Sequence, residues 1–336
     1  MGTKILRIGI IMGGPSSEHE VSLDSGENIF KNLDFTKYQP IKIKITKDKK
    51  WYMDGKLTPL QDIFKSIDFA FLALHGEFGE DGTIQAILDY YKVPYNGSKV
   101  TSSALAMDKI KSQGLFQNAG LVTPKTLLIN KNENFENHLS FFIEKVAKLP
   151  IVIKPCSRGS SVGVSKVSKS GEINTAIKKA FEFDDNILIE EFIDGREVTC
   201  GVVQIKEKLQ PKTLNHCQVS SEYIALPPTE ILPKNIYDFF DYEAKYKPGA
   251  TDEITPAVIT EEIVKEIQSI AIKTHTILGC KDYSRMDAIV KGGKIYVLEV
   301  NSLPGLTKNS LVPKELQVAG IKFRDFLDLI IEQNII

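Results

Sequence analysis

The segment Ser284–Leu311, SRMDAIVKGGKIYVLEVNSLPGLTKNSL, narrows the possible folds more than any other part of this chain. Two runs rich in Ile, Val and Tyr flank Gly292-Gly293, which predicts a β-hairpin. Asp287 lies on the first run, and Glu299 and Asn301 lie on the second. Carboxylates and an amide oxygen are the hard ligands that suit Mg²⁺, with substrate phosphates completing its shell. Turn length then decides geometry. A two-residue Gly292-Gly293 turn pairs Lys291 with Lys294 and puts Asp287 and Glu299 on opposite faces, because strand side chains alternate. A three-residue turn, Gly292 to Lys294, puts them on one face and directly opposite, where like charges repel unless a cation lies between them. The expectation is the odd turn and a bound metal. Arg285 adds a fixed cation on the face of Asp287, suited to a carboxylate or a developing oxyanion. A structural Arg–Asp pair is a competing reading. A solvated acidic strand end is another, opposed by the apolar run Ile295-Tyr296-Val297-Leu298 that leads into Glu299.

A length of 336 residues allows two or three domains with a sizeable core. The apolar fraction of 42% and charged fraction of 25% are those of a soluble globular protein. A formal net charge of −1 argues against a general nucleic-acid binder, yet leaves room for anionic small substrates gathered by local lysines. The four cysteines, Cys156, Cys200, Cys217 and Cys280, form neither a CxxC pair nor a zinc spacing, which fits a reducing cytosol. The opening apolar run is too short for a signal peptide and no later run approaches membrane length.

From the start, Ile5 to Met12 reads as a buried strand ended by Gly13-Gly14-Pro15. Ser16 and Ser17 then offer N-caps for a helix to about Leu33 with Glu18 and Glu20 in its first turn. Strand, glycine turn and helix N-terminus form an anion site, but Glu18 turns it toward an ammonium group; a first-turn Glu complementing the helix dipole is the plainer reading. A second unit runs from Phe69 to Leu74, through His75–Gly82 (HGEFGEDG), into a helix to about Tyr91. Its glycines demand irregular backbone at a strand's C-terminal end, where open α/β sheets place ligands. PYNGS, Pro94 to Ser98, marks a domain boundary. A helix containing Met107-Asp108-Lys109 ends at Gly120. Asn130 to Asn137 reads as loop. Ile151–Lys154 is a strand, followed by the Ser/Gly-rich stretch Pro155–Gly163, whose backbone N–H groups can wrap phosphates although it is not a Walker A loop. A helix from Ser170 to Phe183 leads to the strand Asn186–Ile193. Leu226 to Pro256, containing FFDYEAKYKPGAT, is expected as a long lid-like connection. Helices are expected over Glu261–Leu278 and Phe323–Glu332.

GGPSSEHEVS, LHGEFGEDG, MDK, IVIKPCSRGSSVG, ILIEEFIDGREV, FFDYEAKY, SRMDAIV, LEVNSLPG and TKNSLVP occur in this order. Over nearly the whole chain the set resembles D-alanine–D-alanine ligases of the ATP-grasp superfamily. The resemblance implies a mixed α/β and α+β fold of three domains: a Rossmann-like N-terminal domain, 1–98, and two antiparallel-sheet domains, 99–189 and 190–336, clasping ATP. It implies that Lys109 and Lys154 hold ATP phosphates, that the loop at Ser161 closes over them, and that Lys245 reaches them from the lid. Glu190, the backbone of Phe192 and Ile193, Glu197 and Phe239 would hold adenine and ribose. Asp287, Glu299 and Asn301 would hold Mg²⁺ or Mn²⁺, with two ions expected. Glu18 would take the ammonium of the first D-alanine and His75 would stand near its carboxylate. Arg285 and the Gly305 N–H would form the oxyanion site, Ser310 and Leu311 would bind the second D-alanine, and Glu18, Ser160 and Tyr246 would be linked across the closed lid. Tyr246 resembles ligases whose second substrate is D-alanine. The implied activity is ATP-dependent synthesis of D-alanyl-D-alanine for peptidoglycan precursors, in the cytoplasm, by a homodimer. A related ligase using D-lactate or D-serine, or a non-catalytic nucleotide-binding module, is the alternative.

Overall fold

The computed structural model describes residues 5–157, 159, 162–205, 214–233 and 251–335. Leu6–Gly13 (β1) runs parallel to Tyr38–Ile45 (β2) and to Phe69–Leu72 (β5), with Trp51–Met53 (β3) and Lys56–Leu57 (β4) extending the sheet in the order β4-β3-β2-β1-β5. Central parallel strands are covered on both faces and so read as continuous apolar runs, which is why Ile8, Ile10, Ile11, Phe69 and Phe71 are all inaccessible. Helices His19–Asn32 (α1), Leu60–Lys65 (α2) and Thr83–Tyr91 (α3) complete this part. Helix α1 starts at His19, with Glu18 at its cap, and neither Ser16 nor Ser17 caps it by side chain. The Ser16 hydroxyl instead donates to the His75 carbonyl (2.8 Å), tying the two glycine-rich strand ends together.

Val100–Met107 (α4) and Lys109–Asn118 (α5) are separate helices, because the Asp108 carboxylate turns away to accept the Ile110 and Lys111 N–H groups as an N-cap. A four-stranded antiparallel sheet follows, built from Thr126–Asn130 (β6), Ile151–Pro155 (β7), Ser165–Val167 (β8) and Asn186–Glu191 (β9) in the order β6-β9-β7-β8. Glu136–Phe141 (α6), overlapping the stretch expected as loop, and Ile173–Ala180 (α7) pack with it.

The largest sheet has seven strands. Arg196–Gln204 (β10) is its spine, flanked on one side by Gln218–Val219 (β11), Tyr223–Ala225 (β12), Thr229–Pro233 (β13) and Thr251–Ile254 (β14), and on the other by Tyr283–Lys291 (β15) and Lys294–Asn301 (β16). β13 and β14 correct the expectation of an unbroken connection from Leu226 to Pro256; residues 234–250 lie outside the described residues. Strand alternation gives this sheet two different faces. Val198, Cys200, Val202, Met286 and Ala288 pack against Glu261–Ile277 (α8) in one apolar cluster with Ile267 and Ala271. The interleaved residues Thr199, Gly201, Arg285 and Asp287 are cross-strand partners on the other face. Leu311–Ala319 (α9), which the sequence did not announce, and Phe323–Ile335 (α10) close the chain. Among the described residues no helix is long and apolar enough to cross a membrane.

Candidate active site

The hairpin turn is the two-residue form, not the expected three-residue one. Lys291 pairs with Lys294, and Gly292 and Gly293 take φ of 56° and 77°, the left-handed pair that a tight hairpin turn requires. Asp287 nevertheless faces Glu299 directly, because a bulge intervenes: Ala288 pairs with Val297, Asp287 pairs with Glu299, and Leu298 is the extra residue. The bulge restores the face that the turn alone would have lost. Arg285 pairs with Asn301 one step further along. Four polar side chains therefore form a block on one face of a hairpin whose other face is core.

Within the block, Arg285 donates through Nε and Nη2 to the two Asp287 carboxylate oxygens, both at 2.7 Å. Asn301 Nδ2 donates to Asp287 Oδ2 (3.0 Å), and Lys109 Nζ lies 3.1 Å from Glu299 Oε2. The Arg–Asp pair is thus present in this structure, alongside the oxygen set expected for a metal. Burial works against the charge on Arg285; the carboxyl groups around it, Asp287 foremost, together outweigh burial and raise the guanidinium above its ordinary value. Burial likewise opposes the Lys109 ammonium and Glu299 overcomes it, raising that pKa.

The block forms one wall of a cavity of about 460 Å³. Glu18 and His75 face it from the glycine-rich ends of β1 and β5, while Gly305, Ser310 and Leu311 close the far side. Gly159, in the Ser/Gly-rich stretch, also reaches it; a Cβ there would stand 3.8 Å from Glu18 Oε2. Gly305 packs so closely that a Cβ would come within 2.8 Å of the Ser310 hydroxyl, which itself accepts the Thr307 N–H at 3.1 Å.

His75 does not present a free nitrogen to the cavity. Its Nδ1 lies 2.9 Å from the Leu303 carbonyl, which can only accept, so Nδ1 carries the proton. Its Nε2 then accepts from the Ser25 hydroxyl (2.8 Å), and Ser25 accepts the Leu306 N–H (3.2 Å). Burial pushes the His75 pKa down, so the ring is neutral in this chain of bonds. Glu80 holds the same turn from beneath, accepting the Leu303 N–H (2.8 Å) and the Gly76 N–H (2.9 Å). Its carboxyl is raised from 4.5 to about 7, by burial first and by Glu18 second. Sequence reasoning misses both Ser25 and Glu80. The available signal for Ser25 is its place on α1, seven residues past Glu18 on the face that also carries the buried Ser22.

Lys154 and Glu190 lie outside this cavity, on β7 and β9 of the smaller antiparallel sheet, joined by a 2.6 Å ion pair. Gln113 Nε2 donates to the other Glu190 oxygen (2.7 Å). Ile193 is buried, and Lys166 Nζ stands 4.1 Å from the centre of the Phe192 ring. Glu197 sits on β10 between Ile231 and Ile289. Ser160, Ser161, Phe239, Lys245 and Tyr246 lie outside the described residues.

A mixed N-terminal sheet with a parallel centre, beside two antiparallel sheets and with a cavity lined by acidic and basic side chains, defines an ATP-grasp architecture. The pattern of the D-ala D-ala ligase C-terminus matches residues 115–332, and that of the D-ala D-ala ligase N-terminus matches residues 7–63 and 55–98. The chain belongs to the D-alanine–D-alanine ligase family. It is 40% identical over 332 residues to a D-alanine–D-alanine ligase of Syntrophobacter fumaroxidans, covering 99% of this chain and 98% of that one. Among solved structures it is similar to the Bacillus anthracis D-alanine–D-alanine ligase complexed with ATP, at 34% identity and a TM-score of 0.77 over 98% of this chain and 97% of that one. It is also similar to the VanG D-Ala:D-Ser ligase of Enterococcus faecalis, at 32% identity and a TM-score of 0.84 over 98% of this chain and 99% of that one.

Proposed function

We propose that the protein joins two D-alanine molecules to D-alanyl-D-alanine with conversion of ATP to ADP and phosphate. The observation that carries this reading is the convergence of Glu18, the Arg285/Asp287/Glu299/Asn301 block and the Gly305–Leu311 turn on one cavity. A carboxylate does not react with an amine at useful rates. Its oxygen first attacks the γ-phosphorus of ATP, ADP leaves, and D-alanyl phosphate forms. The amine nitrogen of the second D-alanine, having lost a proton, then attacks the acyl carbon and phosphate departs. In this reading Glu18 holds the first ammonium. In the same reading Arg285 and the Gly305 N–H stabilise the tetrahedral oxyanion, where loss of one donor typically costs about 10²–10³ in rate. Ser310 and Leu311 offer α9's N-terminus to the second carboxylate. His75, neutral and bonded to Leu303 and through Ser25 to Leu306, acts by fixing the turn that carries Gly305.

Asp287, Glu299 and Asn301 fit Mg²⁺ or Mn²⁺: three oxygen-bearing side chains share one face, and protein cations already sit on both carboxylates. When bound, such ions offset phosphate charge during phosphoryl transfer. In this reading Lys109, paired with Glu299, and Lys154, paired with Glu190, turn toward phosphates when ATP enters. The domain borders near residues 98 and 189, a homodimer and a cytoplasmic location belong to the same reading. The likeness to a D-Ala:D-Ser ligase favours testing the second substrate directly. Phosphate release with ATP and Mg²⁺ should be measured with D-alanine alone, with added D-serine and with added D-lactate, identifying products by mass. D-alanyl-D-alanine from D-alanine alone supports the reading. A mixed product formed in preference moves the second substrate, and ATP binding without release under any condition overturns ligase activity.

A further inference from the structure

Glu253 lines the cavity and takes no part in the reaction proposed above. Its place there follows from the sheet. Glu253 on β14 pairs with Ile231 on β13, which pairs with Glu197 on β10. Two residues along β10 is Thr199, the partner of Asp287, so Glu253 stands on the face of the Arg285/Asp287 block. Its neighbour Ile254 belongs instead to the row of Glu230 and Val198, and Val198 packs on α8. The Glu253 carboxylate is paired with Lys314 Nζ. Lys314 lies one turn past Ser310 on α9, and its N–H donates to the Ser310 carbonyl (3.2 Å). Helix side chains lean toward the helix N-terminus, here the end formed by Ser310 and Leu311. The cations that line the cavity among the described residues, Lys109 and Arg285, are each bound to an acid of the block. Lys314, behind Glu253, is a third cation outside the block.

Resting on the ligase reading, we propose that Glu253 and Lys314 select a zwitterion as the second substrate: Lys314 draws its carboxylate toward Ser310 and Leu311, and Glu253 draws its ammonium. An amino acid carries both charges on one α-carbon and matches a pair of opposite charges held side by side. A hydroxy acid carries only the carboxylate, so it gains from Lys314 and is opposed by Glu253. The setting permits the exchange. The side chains are 36% exposed for Lys314 and 21% for Glu253, so releasing one to substrate leaves no buried, unpaired charge. The pair acts on entry, before the amine loses its proton and attacks. It therefore bears on affinity for the second substrate and not on the chemical step.

The test uses the full chain at saturating ATP and Mg²⁺, with D-alanine varied widely enough to separate its two KM values. Glu253→Gln and Lys314→Met should each raise the KM of the second D-alanine about fivefold, the upper range for a part-exposed charge pair. The KM of the first D-alanine, the KM for ATP and turnover at saturation should stay within about twofold, the pattern of lost uniform binding. D-lactate competing with the second D-alanine separates the two charges. Its inhibition constant should fall about twofold to threefold in Glu253→Gln and rise by at least as much in Lys314→Met. A pair that merely ties β14 to α9 is tested by the charge swap, Glu253→Lys with Lys314→Glu. The swap restores the tie but reverses the charges, so the second KM should remain raised about fivefold. Return of that KM to the wild-type value, or a second KM within about twofold of wild type in both folded single variants, overturns the proposal while dipeptide synthesis by the wild type stands. A wild-type protein that makes no dipeptide overturns the ligase reading, and the role of the pair falls with it.

Discussion

The two ends of the candidate site are held in different ways. At the substrate end, Glu18, His75, Arg285, Gly305 and Ser310 come from separate parts of the chain and converge on one cavity. The turn that carries Gly305 is fixed by bonds to backbone, His75 and Glu80 to Leu303, Ser25 to Leu306 and Asn28 to the Leu306 carbonyl (2.7 Å), while Arg285 is held by the Asp287 carboxylate. At the proposed nucleotide end, Lys154, Glu190 and Gln113 are held by one another. Backbone-anchored groups are preorganised and lose little on binding. Groups that satisfy each other must exchange partners when a ligand enters, and the exchange is cheap only if the ligand replaces the charge each one loses. The substrate end is therefore expected to govern turnover, and the nucleotide end to govern affinity for ATP.

The largest expected effect lies at the substrate end. Arg285→Ala should lower turnover by about 10²–10³, the usual cost of a lost oxyanion donor, while the KM for ATP changes by less than about threefold. Steady-state ADP formation over a matrix of ATP and D-alanine concentrations reads both. Equal losses in turnover and ATP affinity would erase the distinction between the two ends. At the other end, Lys154→Met should raise the KM for ATP by at least about tenfold with turnover at saturating ATP less affected. It should also destabilise the fold, because Glu190 is left buried without its cation, by about 3 kcal/mol on the scale of broken buried pairs. Urea unfolding of the free protein measures this second effect. A Lys154→Met protein as stable as wild type would mean that Gln113 alone satisfies Glu190.

A smaller effect tests whether the backbone anchoring matters. Ser25→Ala removes the link between His75 Nε2 and the Leu306 N–H while leaving Glu18, Arg285 and Ser310 untouched. The expected loss is about tenfold in turnover, since two buried hydrogen-bonding groups lose their partner at about 1–2 kcal/mol in all, with KM for ATP unchanged. Turnover equal to wild type would show that Glu80 holds the turn by itself.

The sequence made some of this contrast legible. The β1–glycine–α1 unit, the hairpin and the order of the short motifs could be read because each depends on neighbours in the chain. What escaped depends on distant partners. The tight Gly292-Gly293 turn is a local feature, but the bulge at Leu298 that returns Glu299 to the face of Asp287 is not marked by any residue type. Asp108 carried a legible signal, a capping residue in mid-helix, which marks the break between α4 and α5. Glu80 stood inside a motif read for its glycines and histidine; its acceptance of the Leu303 N–H spans 223 residues. Glu315 looked like an ordinary helix former in LVPKELQVAG, yet it is buried and accepts the Gly201 N–H (2.8 Å), and only the glycine at position 201, on β10, leaves it room.

The last expected effect is on stability and its pH dependence, with turnover untouched, and it belongs to Glu80 at the substrate end. Glu80 has a pKa of about 7 in the fold against an ordinary 4.5, because burial and then Glu18 disfavour its charge. Between those values the folded protein binds a proton more tightly than the unfolded chain does. Its contribution to stability is therefore fully present below pH 4.5 and is lost as the pH rises through about 7. Glu80→Gln cannot titrate. The unfolding free energy of the variant minus that of wild type should rise across this window by about 1–3 kcal/mol, since a tenfold difference in proton affinity between the folded and unfolded chain is worth about 1.4 kcal/mol. His75 works in the opposite sense, since burial lowers its pKa and its contribution is lost as the pH falls, but it is common to both proteins and cancels in the difference. Urea unfolding at several pH values between 4.5 and about 8 measures the slope. A flat difference would mean that the Leu303 and Gly76 N–H groups keep Glu80 ionised throughout. The turn above the cavity would then be held by charge, as the nucleotide end is.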